Sequence, residues 1–210
     1  MEQFVFQSDL EKSICREIYS WCEHTLAKPS AFFNNLPACP YALKSFLDQK
    51  VAIIFKYDDN FQCVYSAVSQ FEGKFDLILV VDLKYNKDPE AFHAYLDQIN
   101  QAISDGTFIQ RDVWLMGFHP DDDEAEYLES EGFEPLVQEE YGLIFIQRLS
   151  KVMKASENLK RLGYYQGYGK DYDVDEIFAT REDLYRRLKN GDESSKENGH
   201  EGLRIRQEAG

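Results

Sequence analysis

An α+β domain built on a mixed sheet follows from three features of the sequence. Residues 75–83 (FDLILVVDL) form a continuous apolar run, the pattern of a central strand covered on both faces. Two segments with helical apolar spacing carry explicit start signals. Strand-like and helix-like segments then alternate through the middle of the chain, which predicts helices stacked mainly on one face of the sheet. A ferredoxin-like arrangement is the first expectation, and a thioredoxin-like or small doubly wound sheet is the alternative.

Taken in order, Ser8-Asp9-Leu10-Glu11 reads as a capping box. Leu10, Ile14, Ile18, Trp21, Cys22 and Leu26 then fall on one stripe, with His24 off it, until Lys28-Pro29-Ser30 stops the helix. Residues 41–47 suit a short helical turn. Residues 51–57 and 61–68 read as two strands joined by the turn signal Asp58-Asp59-Asn60, with Cys63 packed in the second. Asp88-Pro89-Glu90 opens a helix whose stripe is Phe92, Tyr95, Leu96, Ile99 and Ile103. Residues 113–118 and 141–149 are strand-like, residues 121–130 are helix-like behind three aspartates, and Val152, Leu159 and Leu162 ride on a last helix.

The composition shift at Gly163 sets the organisation: a core at 1–162, a Tyr/Gly-rich extension with a short helix at 163–189, and a polar segment at 190–210 expected to be disordered. Lys and Arg number 23 against 38 Asp and Glu, a formal charge of −15. Such a balance repels phosphate backbones and anionic lipid, so neither nucleic acid nor membrane is an expected partner, and a basic protein is. The four cysteines form no C-x-x-C pair and are too few for a disulfide scaffold. The opening residues lack the basic and apolar regions of a leader, so a cytoplasmic protein with reduced thiols is expected. Composition leaves the oligomeric state, any cofactor and any metal open.

Chemistry concentrates at two short stretches. Cys39 stands in Leu36-Pro37-Ala38-Cys39-Pro40-Tyr41-Ala42, where two prolines stiffen the backbone around the thiol. A placed sulfur suits a nucleophile, a redox thiol or a metal ligand, and it equally suits a small thiol packed in a turn. His119 follows an apolar strand in Gly117-Phe118-His119-Pro120-Asp121, where a carboxylate can orient the imidazole as base or ligand, and where a histidine can also simply cap a strand end. Asp82, closing the central strand, is expected on the same sheet edge. The acids from Asp121 to Glu124 lack calcium-loop spacing, and an acidic helix start explains them without a metal. His24 and His93 have no helix-spaced histidine partner. Dinucleotide, Walker and G-x-S-x-G motifs are all missing.

Trp21-Cys22-Glu23, Asn35-Leu36-Pro37-Ala38-Cys39-Pro40-Tyr41-Ala42 and Phe118-His119-Pro120-Asp121, met in that order between Lys12 and Lys154, resemble the bacterial domain of unknown function numbered 1415. That resemblance implies a short α+β protein and adds weight to Cys39 and His119 as one site, without naming an activity. The acidic run 121–140 and everything from Gly163 depart from the family pattern. Two functions therefore compete. One is an enzyme using Cys39 and His119, supported by Asp82 and Asp121, for thiol chemistry or metal ligation. The other is a non-catalytic acidic module for protein binding, motivated by ten acids and no Lys, Arg or His between Asp121 and Glu140.

Overall fold

The computed structural model describes residues 7–71, 73–108, 112–122, 135–167, 174–176 and 178–187. Helix α1 (Asp9–Trp21) begins as the capping box directs. Ser8 Oγ accepts from the Glu11 backbone N–H at 3.2 Å, while Glu11 reaches one residue further back, to the N–H of Gln7. The helix runs on into a π turn, Cys22–Leu26, which carries Cys22 inward and His24 outward. A two-residue ladder, β1 (Pro29–Ser30) with β2 (Leu36–Pro37), and helix α2 (Ala42–Leu47) lead into the main sheet.

That sheet has four strands: β3 (Val51–Lys56), β4 (Leu77–Asp82), β5 (Trp114–Phe118) and β6 (Gly142–Gln147), in the order β3-β4-β6-β5. β3 and β4 are parallel, and β6 runs antiparallel to both its neighbours. The sheet is therefore mixed and the domain α+β. Parallel neighbours need a crossover, and helix α3 (Gln62–Ser69) provides it.

Residues 61–68, expected as the second arm of a hairpin, are thus mostly helix. Their apolar positions explain why: Phe61, Val64, Ala67, Val68 and Phe71 repeat at helical spacing and all join one core cluster. Asn60 Oδ1 accepts from the Gln62 N–H at 3.0 Å, so the turn signal before it starts a helix instead of joining two strands. The same crossover rules out the ferredoxin-like arrangement, whose sheet has no parallel neighbours of this kind.

Helices cover both faces, where stacking mainly on one was expected. Val64 and Val68 of α3, with Phe92, Leu96, Ile99 and Ile103 of α4 (Pro89–Ser104), pack on Ile78, Val80, Ile144 and Ile146. On the other face Ile14 and Ile18 of α1 pack on Leu79, Val81 and Leu143. Alternation along β4 feeds both layers, in keeping with the unbroken apolar run of its sequence. Asp88 caps α4 as predicted, its Oδ1 accepting from Glu90 and Ala91.

Two devices lock α4 to the edge strand β5. A Cβ on Gly117 would stand 2.5 Å from Phe92 and 2.7 Å from Leu96, so the helix approaches as closely as it does because this residue has no side chain. Buried Asn100 donates from Nδ2 to the Leu115 carbonyl at 2.9 Å and accepts the Leu115 N–H at 2.8 Å. One amide side chain thus satisfies the outward backbone pair in the middle of β5.

Helix α5 (Leu149–Arg161) follows β6, and helical residues 178–187 return to the domain, placing Leu184 against Leu149 and Trp114. The expected helix at 121–130 lies outside the described residues from 123 onward, as does the segment 190–210.

Replacing Asn100 by alanine strands the N–H and C=O of Leu115 and should lower the unfolding free energy by about 2–4 kcal/mol, read from urea denaturation. A pH test follows from α1. Burial pushes the thiols of Cys15 and Cys22 up to about 12. Above about pH 8.5 an unfolded thiol ionises while these folded ones keep their protons, so the unfolded state binds fewer protons and stability falls as pH rises. Cys15→Ala/Cys22→Ala should lose less stability than the parent between pH 8 and pH 10 in the same assay.

Candidate functional site at the strand ends

Because β3, β4 and β5 run in one direction, their last residues meet at one edge of the sheet, the edge where open α/β sheets place ligands. Lys56 and Asp82 are register partners there, both fully buried, with Lys56 Nζ 2.8 Å from Asp82 Oδ1. Asp82 Oδ1 also accepts from the Lys84 N–H at 2.9 Å. Lys56 lies 4.6 Å from the centre of the Phe61 ring and 3.4 Å from the Lys84 carbonyl oxygen. Asp82 Oδ2 is buried without a hydrogen-bond partner among the described residues. Removing one member of such a pair leaves the other as an uncompensated buried charge, so the pair is a structural commitment at the site's centre.

His119 stands at the same edge, as fully buried as Asp82. Its Nδ1 accepts the Asp121 backbone N–H at 3.1 Å, which leaves Nε2 to donate to the Asn86 carbonyl at 2.9 Å. The ring packs edge-on to Tyr85 and Phe92, with centroids 5.0 and 5.5 Å away. Asp122 closes the turn, accepting the His119 N–H at 2.7 Å on Oδ2 and meeting His93 Nε2 at 2.8 Å through Oδ1. The Asp121 carboxylate is exposed, and its Oδ2 lies 3.9 Å from the imidazole. Phe-His-Pro-Asp is accordingly an interlocked turn in which both ring nitrogens are engaged.

Cys39 is placed by a different set of contacts. Its N–H donates to the Leu26 carbonyl at 2.8 Å, its carbonyl accepts from Ala42 at 3.3 Å, and the preceding Ala38 carbonyl accepts from the Tyr164 hydroxyl at 2.6 Å. Burial holds the thiol above its ordinary range against the opposing pull of the Tyr41 and Ala42 amides. Electrostatically it couples to Cys22, at the end of α1. His119, by contrast, draws its partners from the loop after β4 and from α4. No described hydrogen bond or ion pair joins Cys39 to His119.

Three of the four residues singled out from the sequence thus belong to one edge: Asp82 and His119 at its core, Asp121 at its rim. Lys56, the residue sequence reading passed over, is the partner that fixes Asp82. Its signal was present, since VAIIFK and LILVVD each end an apolar run on a charge of opposite sign. A second acid–phenol group borders the edge: the Tyr85 hydroxyl donates to Glu140 Oε2 at 3.0 Å, and with Lys87 it holds that carboxyl below the usual range. Among the described residues no group of three or more His, Cys, Asp or Glu is placed to hold a metal ion, and no helix is long and apolar enough to cross a membrane.

Truncating His119 to alanine opens a cavity and strands both the Asn86 carbonyl and the Asp121 N–H. A loss of about 2–4 kcal/mol is expected in urea denaturation. Peptide-resolved alkylation of Cys39 should proceed more slowly at pH 7.5 than that of a free cysteine, with the same pH profile in wild type and His119→Ala. A profile moved by the histidine substitution would mean that the two side chains do communicate.

Comparison of the chain with protein-family models, with curated proteins and with solved structures found no match.

Proposed function

We propose that the protein is a non-catalytic module that binds a basic protein partner through its acidic surface. The observation that carries this reading is the charge surplus of −15 together with the way the cations are used. Lys44, Lys87, Lys151, Lys160, Arg148, Arg186 and Arg187 each pair with a carboxylate of the same chain. Those seven cations are neutralised within the chain, and the surplus of acids over bases gives the whole chain a negative field suited to a cationic surface. Supporting it from the other side, His119 has both ring nitrogens engaged and the Cys39 thiol is held towards its neutral form. Four free cysteines fit a reducing, cytoplasmic setting.

A thiol enzyme at Cys39 is the second reading. The Tyr41 and Ala42 amides act on the sulfur in the direction that favours a thiolate, and the likeness to the family numbered 1415 adds weight to the Cys-Pro motif. Burial opposes that effect and outweighs it, so the binding reading is preferred.

Isothermal titration with a lysine-rich peptide tests the preference. Binding is expected at 50 mM salt, with an affinity that falls about tenfold or more by 300 mM as the charges are screened. Duplex DNA of equal length should give no heat. Absence of peptide binding at low salt, or binding indifferent to salt, would overturn the reading.

A further inference from the structure

The two rims of the main sheet are finished differently. On β5 the outward N–H and C=O of Leu115 are taken up by Asn100. On β3 the Lys50 carbonyl accepts from Leu77 at 3.3 Å and the Lys56 carbonyl accepts from Leu83 at 3.0 Å. With Val51 in register with Leu77, the even-numbered residues of β3 turn their backbone groups towards β4, and Ile53 and Phe55 turn theirs outward. No hydrogen bond among the described residues takes up those outward groups. Residues 52–55 are only partly buried.

Free edges are ordinarily guarded by a charge, a proline or a bulge. The stretch Val51-Ala52-Ile53-Ile54-Phe55 holds no charge and no proline, and its pairing with β4 runs unbroken from Val51 to Lys56. Lys56, the one charge on β3, is turned inward onto Asp82. Apolar side chains stand in solvent at both ends of the strand: Leu47, which closes α2, is 65% exposed, and Tyr57 is 50% exposed. Helix α2 itself buries none of its residues.

Charge decides what such an edge can receive. Lys50, just ahead of the strand, donates to the Lys74 carbonyl at 3.3 Å and has no carboxylate partner among the described residues. Asp58 and Asp59, just behind it, are exposed and have no ion-pair partner among the described residues. Two such strands lying parallel would set Lys50 beside Lys50 and Asp58 beside Asp58. Lying antiparallel, with Ile53 opposite Phe55 of the other copy, they bring their outward N–H and C=O groups together and Lys50 opposite Asp58. A β-branched residue facing an aromatic one is itself a favourable cross-strand pair. The strand is thus complementary to itself.

We propose that β3 is the surface through which two copies of this chain associate, their sheets joined by antiparallel strand addition about a two-fold axis. Leu47 of each copy is then carried towards the Tyr57 end of the other. This goes beyond the acidic-module reading and does not depend on it.

Sedimentation velocity of the full-length chain should show a monomer giving way to a dimer between about 1 and 100 µM. The axis repeats every contact at both ends, so Lys50→Asp, which sets like charges opposite each other twice, should weaken the dimer about tenfold, and Asp58→Lys likewise. Lys50→Asp/Asp58→Lys exchanges the two charges and should return the dissociation constant to within about threefold of wild type. Glu157→Lys, a reversal at an exposed position of α5, should leave it unchanged. Amide hydrogen exchange locates the contact: Ile53 and Phe55 should exchange more slowly in the dimer than after dilution. A chain that stays monomeric throughout overturns the proposal, as does a dimer indifferent to the single reversals or not rescued by the double one. Exchange at Ile53 and Phe55 that does not change with dilution overturns it too: a dimer would then meet elsewhere, and a monomer so protected would cover the rim itself.

Discussion

Burial of β4 on both faces is the constraint from which the rest of this architecture follows. A strand whose alternate residues are all apolar needs a helical layer above and another below. α3 and α4 supply one layer, and α1 supplies the other. Parallel pairing with β3 then forces a crossover helix, and β5 is left one place away so that β6 can enter between them in the opposite direction. The polar ends of the parallel strands are gathered at one edge as a result. Lys56 is buried there even though β3 is an edge strand, Asp82 because β4 is central, and each is tolerated because the other is present.

Much of this was legible in the sequence, and the gaps have identifiable causes. The caps at Ser8 and Asp88, the stripe of α4 and the two-faced run of β4 all depend on local chemistry, and all formed as read. Residues 61–68 were misread because Val, Tyr and Phe favour strands while their spacing favours a helix; the spacing decided, since it brings Phe61, Val64, Val68 and Phe71 to one surface. Sheet order has no local signature. Whether the strand after β3 lies parallel or antiparallel is set by the crossover, and the error at 61–68 carried the wrong topology with it.

The site was partly legible for the same reason. Asp82 and His119 close apolar strands, and strand direction alone brings them to one edge. Their use could not be read, because it depends on contacts distant in sequence: Asn86 holds the imidazole, and Lys56 holds the carboxylate. Proline spacing singled out Cys39, whose backbone N–H is bonded to the Leu26 carbonyl, but a local motif carries no information about which distant elements a residue joins. Acidity is the property that survives from composition to surface, because a net charge needs no partner within the chain to be expressed.

The amide of Asn100 has a consequence for how copies of this protein behave when crowded. Growth of a filament by strand addition requires two free rims, one to receive and one to offer. With the middle of β5 occupied by its own helix, any such addition has one rim at most and ends at a pair. A single buried asparagine therefore makes the sheet terminal in one direction.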